Sequence, residues 1–246
     1  MIRTGLWTLV LAMGMAVAMT VGVVGNAWAA GGVMVFGGSG RTGAEIAKLL
    51  LAKGEEVTVF VRPTSDRKRL DGLKVNYAVG DAMTAADVDA AIAKAKPRVV
   101  INTIGGRGTT KNYWDTTQKN MTAAAKKHGA TEIIFHSSVG VGDSAVAYSE
   151  AARARTKEVM DERFIAEEDM KASGLTYVII RTGIIAPESM AMTGQARLTE
   201  DRTAMGPVTR ADLAKLTVDC IGNAACRNKT FAAIDDTVKM PPREQR

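Results

Sequence analysis

The chain is short of the residues that most often carry chemistry. Its 246 residues include two histidines and two cysteines, and only 5% are aromatic. With His128 and His136 alone, spacing assembles no Ser-His-acid triad, and no Cys/His cluster has metal-ligand spacing. No metal site is therefore expected. The scarcity of aromatics argues against a base-stacking platform. Basic residues are dispersed, apart from Arg67-Lys68-Arg69, so a net charge of +6 does not imply a nucleic-acid partner. Mild basicity of this kind suits a small anionic ligand equally well. The sequence also lacks internal repeats, low-complexity tracts and any convincing boundary for a second folded domain.

One long apolar run is present, at the N-terminus. Met1-Ile2-Arg3-Thr4 carries a single positive charge, Leu6 to Gly25 is apolar apart from two threonines, and Asn26-Ala27-Trp28-Ala29-Ala30 offers an Ala-x-Ala site. This layout predicts a signal peptide over residues 1–29, cleaved after Ala29, and export to a periplasmic or extracellular location. The run is also long enough to span a bilayer, so an uncleaved anchor is the alternative, and the only route by which a membrane enters the reading. Export changes the weight given to Cys220 and Cys226. An even count in an oxidising compartment permits a local disulfide, and the spacing equally permits two free thiols.

The remaining chain, residues 30–246, is organised around Val33-Met34-Val35-Phe36-Gly37-Gly38-Ser39-Gly40-Arg41-Thr42-Gly43-Ala44-Glu45-Ile46. An apolar strand breaks into a glycine turn, and helical spacing begins at once through Ile46, Leu49 and Leu50. That geometry sets backbone N–H groups and a helix N-terminus against a pyrophosphate. The second strand, Val57 to Val61, ends at Arg62. An acidic residue there selects a free ribose 2′-hydroxyl, whereas arginine accommodates a 2′-phosphate. Arg62, followed by Arg67, Lys68 and Arg69, thus favours NADP, with NAD possible.

Further strands are predicted at Lys74–Val79, Val99–Ile104, Glu132–His136, Leu175–Arg181 and Thr230–Ile234, and helices at Arg41–Lys53, Thr84–Lys94, Tyr113–His128, Ser149–Ser173 and Thr209–Cys220. Thr84 with Asp87, and Thr209 with Asp212, read as capping boxes. His128 falls at a helix end, where it offsets the helix dipole. Alternation of strands and helices predicts a doubly wound α/β Rossmann fold with a parallel sheet. Residues 182–207 read as irregular and, lying after a strand end, form the natural substrate lid, with Met190 and Met192 as candidate apolar lining.

Several motifs then line up in order. Val35 to Gly43, Gly80-Asp81, Gln118-Lys119-Asn120, Ser137-Ser138-Val139-Gly140, Ala172 to Arg181 and Thr209 to Ala214 together resemble the atypical short-chain dehydrogenase/reductase group, most of all its NmrA-like NAD(P)-binding proteins with a Ser-Gly-Arg-Thr-Gly loop. The resemblance implies that Gly37, Ser39, Gly40, Arg41, Thr42 and Gly43 hold phosphates, Arg62 meets the 2′-phosphate and Asp81 lies by the adenine. It also implies that Thr103, Ile104 and Gly105 line the ribose side, and that Ser137 and Ser138 approach the nicotinamide.

The match weakens where acid–base chemistry would sit. Typical members pair a Ser with a Tyr and a Lys four residues beyond it. Tyr148 follows Ser138 at a suitable distance, but Ala152 occupies the lysine position. NmrA-like relatives often place a lysine three residues before an Ala-Glu pair; here that position is Arg163, which can bind ribose or phosphate but relays protons poorly. The expected function is an NADP-binding oxidoreductase passing hydride to a carbonyl, flavin or quinone-type acceptor of unknown identity, with Ser138 and Tyr148 as candidate catalytic groups. The alternative is a non-catalytic NAD(P) sensor or assembly factor that acts through a protein partner.

Overall fold

Apolar runs with no alternation require cover on both faces, and the chain supplies it. The computed structural model describes residues 31–106 and 110–241; the predicted leader lies outside them. In chain order the elements are β1 (Val33–Phe36), α1 (Arg41–Ala52), β2 (Val57–Val61), β3 (Asn76–Val79), α2 (Ala85–Ala95), β4 (Val99–Asn102), α3 (Tyr113–Lys127), β5 (Glu132–Ser138), α4 (Glu150–Ala172), β6 (Thr176–Thr182), β7 (Ile184–Ile185), β8 (Arg197–Thr199), β9 (Pro207–Val208), α5 (Arg210–Cys220) and β10 (Lys229–Ile234). Single 3-10 turns fall at Lys68–Leu70 and Gly142–Ala147.

The main sheet runs β3-β2-β1-β4-β5-β6-β10-β8. Every pairing from β3 to β10 is parallel, and β8 closes the edge antiparallel to β10. This is the predicted Rossmann sheet, whose order reverses between β1 and β4. Side chains of β1 and β4 are buried at every position, as their composition requires. One core gathers Ile46 and Leu50 of α1 with Leu213 and Val218 of α5. The other gathers Ile92 of α2, Met121 of α3 and Met170 of α4 on the opposite face. Helix α4 is different: only Ala166, Glu167 and Met170 are buried, so its first turns stand clear of the core.

Three expectations need correction. Residues 182–207 are not wholly irregular. β7 pairs with β9, Ile184 opposite Pro207, and β8 joins β10, Ala233 opposite Leu198. These partners are distant in sequence, and strands of two or three residues leave no periodicity to read. β5 continues through Ser137 and Ser138, which pair with Arg181 and Thr182 of β6. Finally, Thr84 is the N-cap of α2 but caps nothing with its side chain. The Asp87 carboxylate accepts instead from the Asp81 N–H at 2.8 Å.

The second capping box does form, and it does more than cap. Thr209 Oγ1 accepts from the Asp212 N–H, and Asp212 accepts from Thr209 Oγ1 at 2.6 Å. The same carboxylate, 2% exposed as a residue, also accepts from the N–H groups of Thr193 and Gly194, both at 2.9 Å. Asp212 thus ties the late segment to α5. Below it, Cys220 and Cys226 form a disulfide between the end of α5 and the approach to β10, settling the pairing that spacing left open. Replacing Asp212 with Ala removes the reciprocal cap and strands buried donors. It is expected to cost about 2–4 kcal/mol, read as a lower urea midpoint at unchanged m-value.

Candidate functional site

Where the strand order reverses, a cleft of about 450 Å³ opens beyond the carboxyl ends of β1, β2, β4, β5 and β6. Its floor is the glycine turn. Gly43 sits so close to the end of β1 that a Cβ would lie 2.4 Å from the Gly37 carbonyl oxygen. No side chain caps the N-terminus of α1, and no acidic residue lies in its first turn. First-turn N–H groups therefore face the cleft without a capping partner, beside the positive end of the helix dipole. A phosphate fits there on charge and on donor geometry.

The opposing wall is equally fixed. Thr103 donates from both its N–H and its Oγ1 to the Phe36 carbonyl, at 3.0 and 2.9 Å. Buried Asn102 accepts from the Ile104 N–H at 2.9 Å and donates to Gln118 at 2.8 Å. Gly105, just beyond, has open space where a side chain would project. Gly37, Ser39, Gly40, Arg41, Thr42, Gly43, Arg62, Asp81, Thr103, Ile104, Gly105, Ser137 and Arg163 all line this one cleft. The structure thus brings the sequence-derived binding set together.

The two candidate catalytic residues are not in it. Ser138 is turned away, donating towards the carbonyls of Val139 and Thr182 at 3.1 and 3.4 Å. β5 continues through this pair, and strand alternation sends neighbouring side chains to opposite faces; of the two, Ser137 is the one among the residues lining the cleft. Tyr148 is outside the lining too, its ring packed where a Gly140 Cβ would come within 3.0 Å. Lys157, the first lysine after Tyr148 in sequence, is spent on Asp161 at 2.5 Å on an exposed face of α4. Met190 and Met192 are likewise absent from the lining, and Met192 is 44% exposed.

At the end of the cleft between β5 and α4 stands a different group. Arg163 lies flat over Trp114, 3.6 Å from the ring centroid, and donates to the His136 carbonyl at 3.3 Å. Burial brings its pKa down to about 10, against the favourable charge of Glu167, so it stays cationic at neutral pH. Among the described residues no carboxylate pairs with it. Its neighbour Glu162 is committed elsewhere, accepting from the N–H groups of Asn112 and Trp114 at 2.6 and 3.3 Å and so capping α3 from outside. Ser137 is 3% exposed, and its Oγ finds no hydrogen-bond partner among the described residues.

His136, set aside on sequence grounds, also lines the cleft. Its Nε2 lies 2.8 Å from Thr217 Oγ1, and that hydroxyl gives its one proton to the Leu213 carbonyl at 2.7 Å. Nε2 must therefore donate, which leaves Nδ1 unprotonated in the neutral ring. His128 is not simply offsetting a dipole; it bonds Asp89 at 2.9 Å. Tyr113 and Arg210 also line the cleft, and their spacing in sequence gave no sign of it. Among the described residues, no three His, Cys, Asp or Glu side chains gather to hold a metal.

Residues 37–224 match the family model described as NAD(P)H-binding. The chain belongs to that family. Its fold is that of the atypical short-chain dehydrogenases/reductases, and NAD(P)H is the cofactor class it binds. It is similar to the anaerobilin reductase ChuY from Escherichia coli O157:H7, with 28% identity, a TM-score of 0.73 and coverage of 85% of this chain and 99% of that one. A short-chain dehydrogenase/reductase from Veillonella parvula, solved in complex with NADP, shares the fold at 15% identity and a TM-score of 0.67, covering 85% and 98% of the two chains. A 48-residue stretch is 48% identical to sterol demethylase protein B of Methylococcus capsulatus, but it spans only 20% of this chain and 15% of that protein.

Burial and the adjacent Arg163 charge push the His136 pKa down from 6.5 to about 4. The unfolded chain therefore binds the proton first. The stability gained by keeping this ring neutral is fully present above pH 6.5 and is lost as pH falls toward 4, by on the order of 2–3 kcal/mol. The variant His136→Asn is expected to lose less stability over that range than the wild type in parallel denaturant titrations; superimposable pH profiles would refute the assignment.

Proposed function

We propose that this protein is an NADPH-dependent reductase in which Arg163 takes the place of a Tyr–Lys pair. The observation that carries the reading is the Arg163 guanidinium, which lines the cleft with no carboxylate among the described residues paired to it and is held by the Trp114 ring and the His136 carbonyl. The cofactor, when bound, supplies a hydride. Arg163 donates hydrogen bonds to the acceptor oxygen on which negative charge develops, from a position already fixed by Trp114 and the His136 carbonyl. Arginine does not release its proton at neutral pH, so the proton that completes the reduction comes from water. This suits a conjugated acceptor of quinone, flavin or enone type better than an isolated ketone. Anaerobilin, the compound in the E. coli neighbour's name, is one candidate.

Arg62 at the β2 end of the cleft and Arg41 at the start of α1 support NADPH over NADH. The disulfide supports placing the domain in an oxidising compartment, in line with the leader reading. A second reading has one observation in its favour: neither Ser138 nor Tyr148 reaches the cleft, as suits a dinucleotide sensor that signals to a protein partner. Steady-state NADPH oxidation with quinones, flavins and anaerobilin separates the two. Arg163→Met is expected to lower kcat by about 10²-fold, and Tyr148→Phe to leave it within about twofold of wild type. Tight NADPH binding without turnover of any acceptor would favour the sensor.

A further inference from the structure

The late segment reaches across the cleft and takes hold of the far side. Glu188, between β7 and β8, places its carboxylate 3.1 Å from Arg41 Nε in the phosphate loop. The same carboxylate accepts from Arg69 Nε at 3.2 Å and from Arg69 Nη2 at 3.1 and 3.2 Å. Arg69 lies in the turn after β2, 119 positions away in sequence. Arg210 lines the same cleft, bonds the Ala186 carbonyl and feels the charges of Arg41, Arg69 and Glu188. Two guanidiniums therefore share one carboxylate, and a third stands within range of its charge. A forked arginine with a second arginine beside it is the donor set that recognises a phosphate monoester, and Glu188 is using it.

We propose that Glu188 is a tethered competitor for the 2′-phosphate of NADPH and so sets the preference between the two dinucleotides. The idea rests on the NADPH reading above. Arg62 and Ser65 line the cleft at the end of β2, the side on which the adenosine ribose of a Rossmann ligand lies, and Arg41, at the start of α1, lines it too. Glu188, Arg41 and Arg69 side chains are 52%, 60% and 40% exposed, so each pair is weak enough for a dianion to displace. A phosphate arriving there takes over Arg41 and Arg69 and releases the segment around Glu188. NADH carries no 2′-phosphate and leaves the carboxylate where it is. Glu188 thus subtracts from NADPH affinity while leaving NADH affinity nearly untouched.

The test is equilibrium binding of NADPH and NADH, by cofactor fluorescence at low salt, to the wild type and Glu188→Gln. The variant is expected to bind NADPH roughly 3- to 10-fold more tightly, with NADH within about twofold of wild type. Hydrogen exchange in residues 187–192 of the wild type is expected to rise on adding NADPH and to stay level with NADH. An unchanged or weakened NADPH Kd in the variant overturns the proposal, as does an equal gain for NADH. A wild type that binds neither dinucleotide overturns the NADPH reading and this one with it; a wild type that binds NADPH without responding to the substitution overturns this one alone.

Discussion

At Gly43 there is room for a hydrogen and nothing larger, because the Gly37 carbonyl would stand 2.4 Å from a Cβ. Gly38 is confined in the same way by Val59, whose Cγ1 would lie 2.6 Å away. These two approaches let the first turn of α1 press against the end of β1 and the flank of β2, and the cleft inherits its floor from that contact. Any side chain at either position would push α1 outward, carrying Arg41 and Thr42 with it. The helix dipole, the free N–H groups and the arginine at the mouth are all placed by this one steric constraint.

The opposite end of the cleft is built by a single stretch of α4. Glu162 caps α3 and fixes Trp114, Arg163 lies on the Trp114 ring, and Glu167 neutralises buried Arg181 at 2.6 and 3.1 Å. Arg181 also reaches Asp143 at 2.5 Å, holding the turn that precedes α4. So α4, which contributes little to the core, is kept in register by charge. The arginine that lines this end of the cleft is oriented by its stack and by a backbone carbonyl, with no ion pair among the described residues to compete for it.

Much of this was legible in the sequence where the signal was local. The glycine turn, the seven parallel strands of the main sheet, Arg62 and Asp81 followed from apolar runs and the breaks that end them. The Thr209–Asp212 cap was readable because both partners lie within one helical turn. Thr84–Asp87 had the same spacing and failed, because the approach of Gly80 to Asp87 turned that carboxylate toward the Asp81 N–H instead. The choice between Ser137 and Ser138 was not legible, since it depends on whether β5 stops before the pair or runs through it. Nor was Glu188, whose partners stand 119 and more positions away and meet it only after the chain has wound back across the sheet.

The cluster at the cleft mouth has a consequence for the order of events in binding. Three guanidiniums against one carboxylate leave a surplus of positive charge where a ligand first arrives. A field of that kind draws in polyanions from roughly a Debye length away, and it draws in a dinucleotide, a nucleoside triphosphate or a nucleic-acid fragment alike. Encounter is therefore indiscriminate and sensitive to ionic strength. Selection is left to a slower stage, when whatever has arrived must dislodge a carboxylate that never diffuses away.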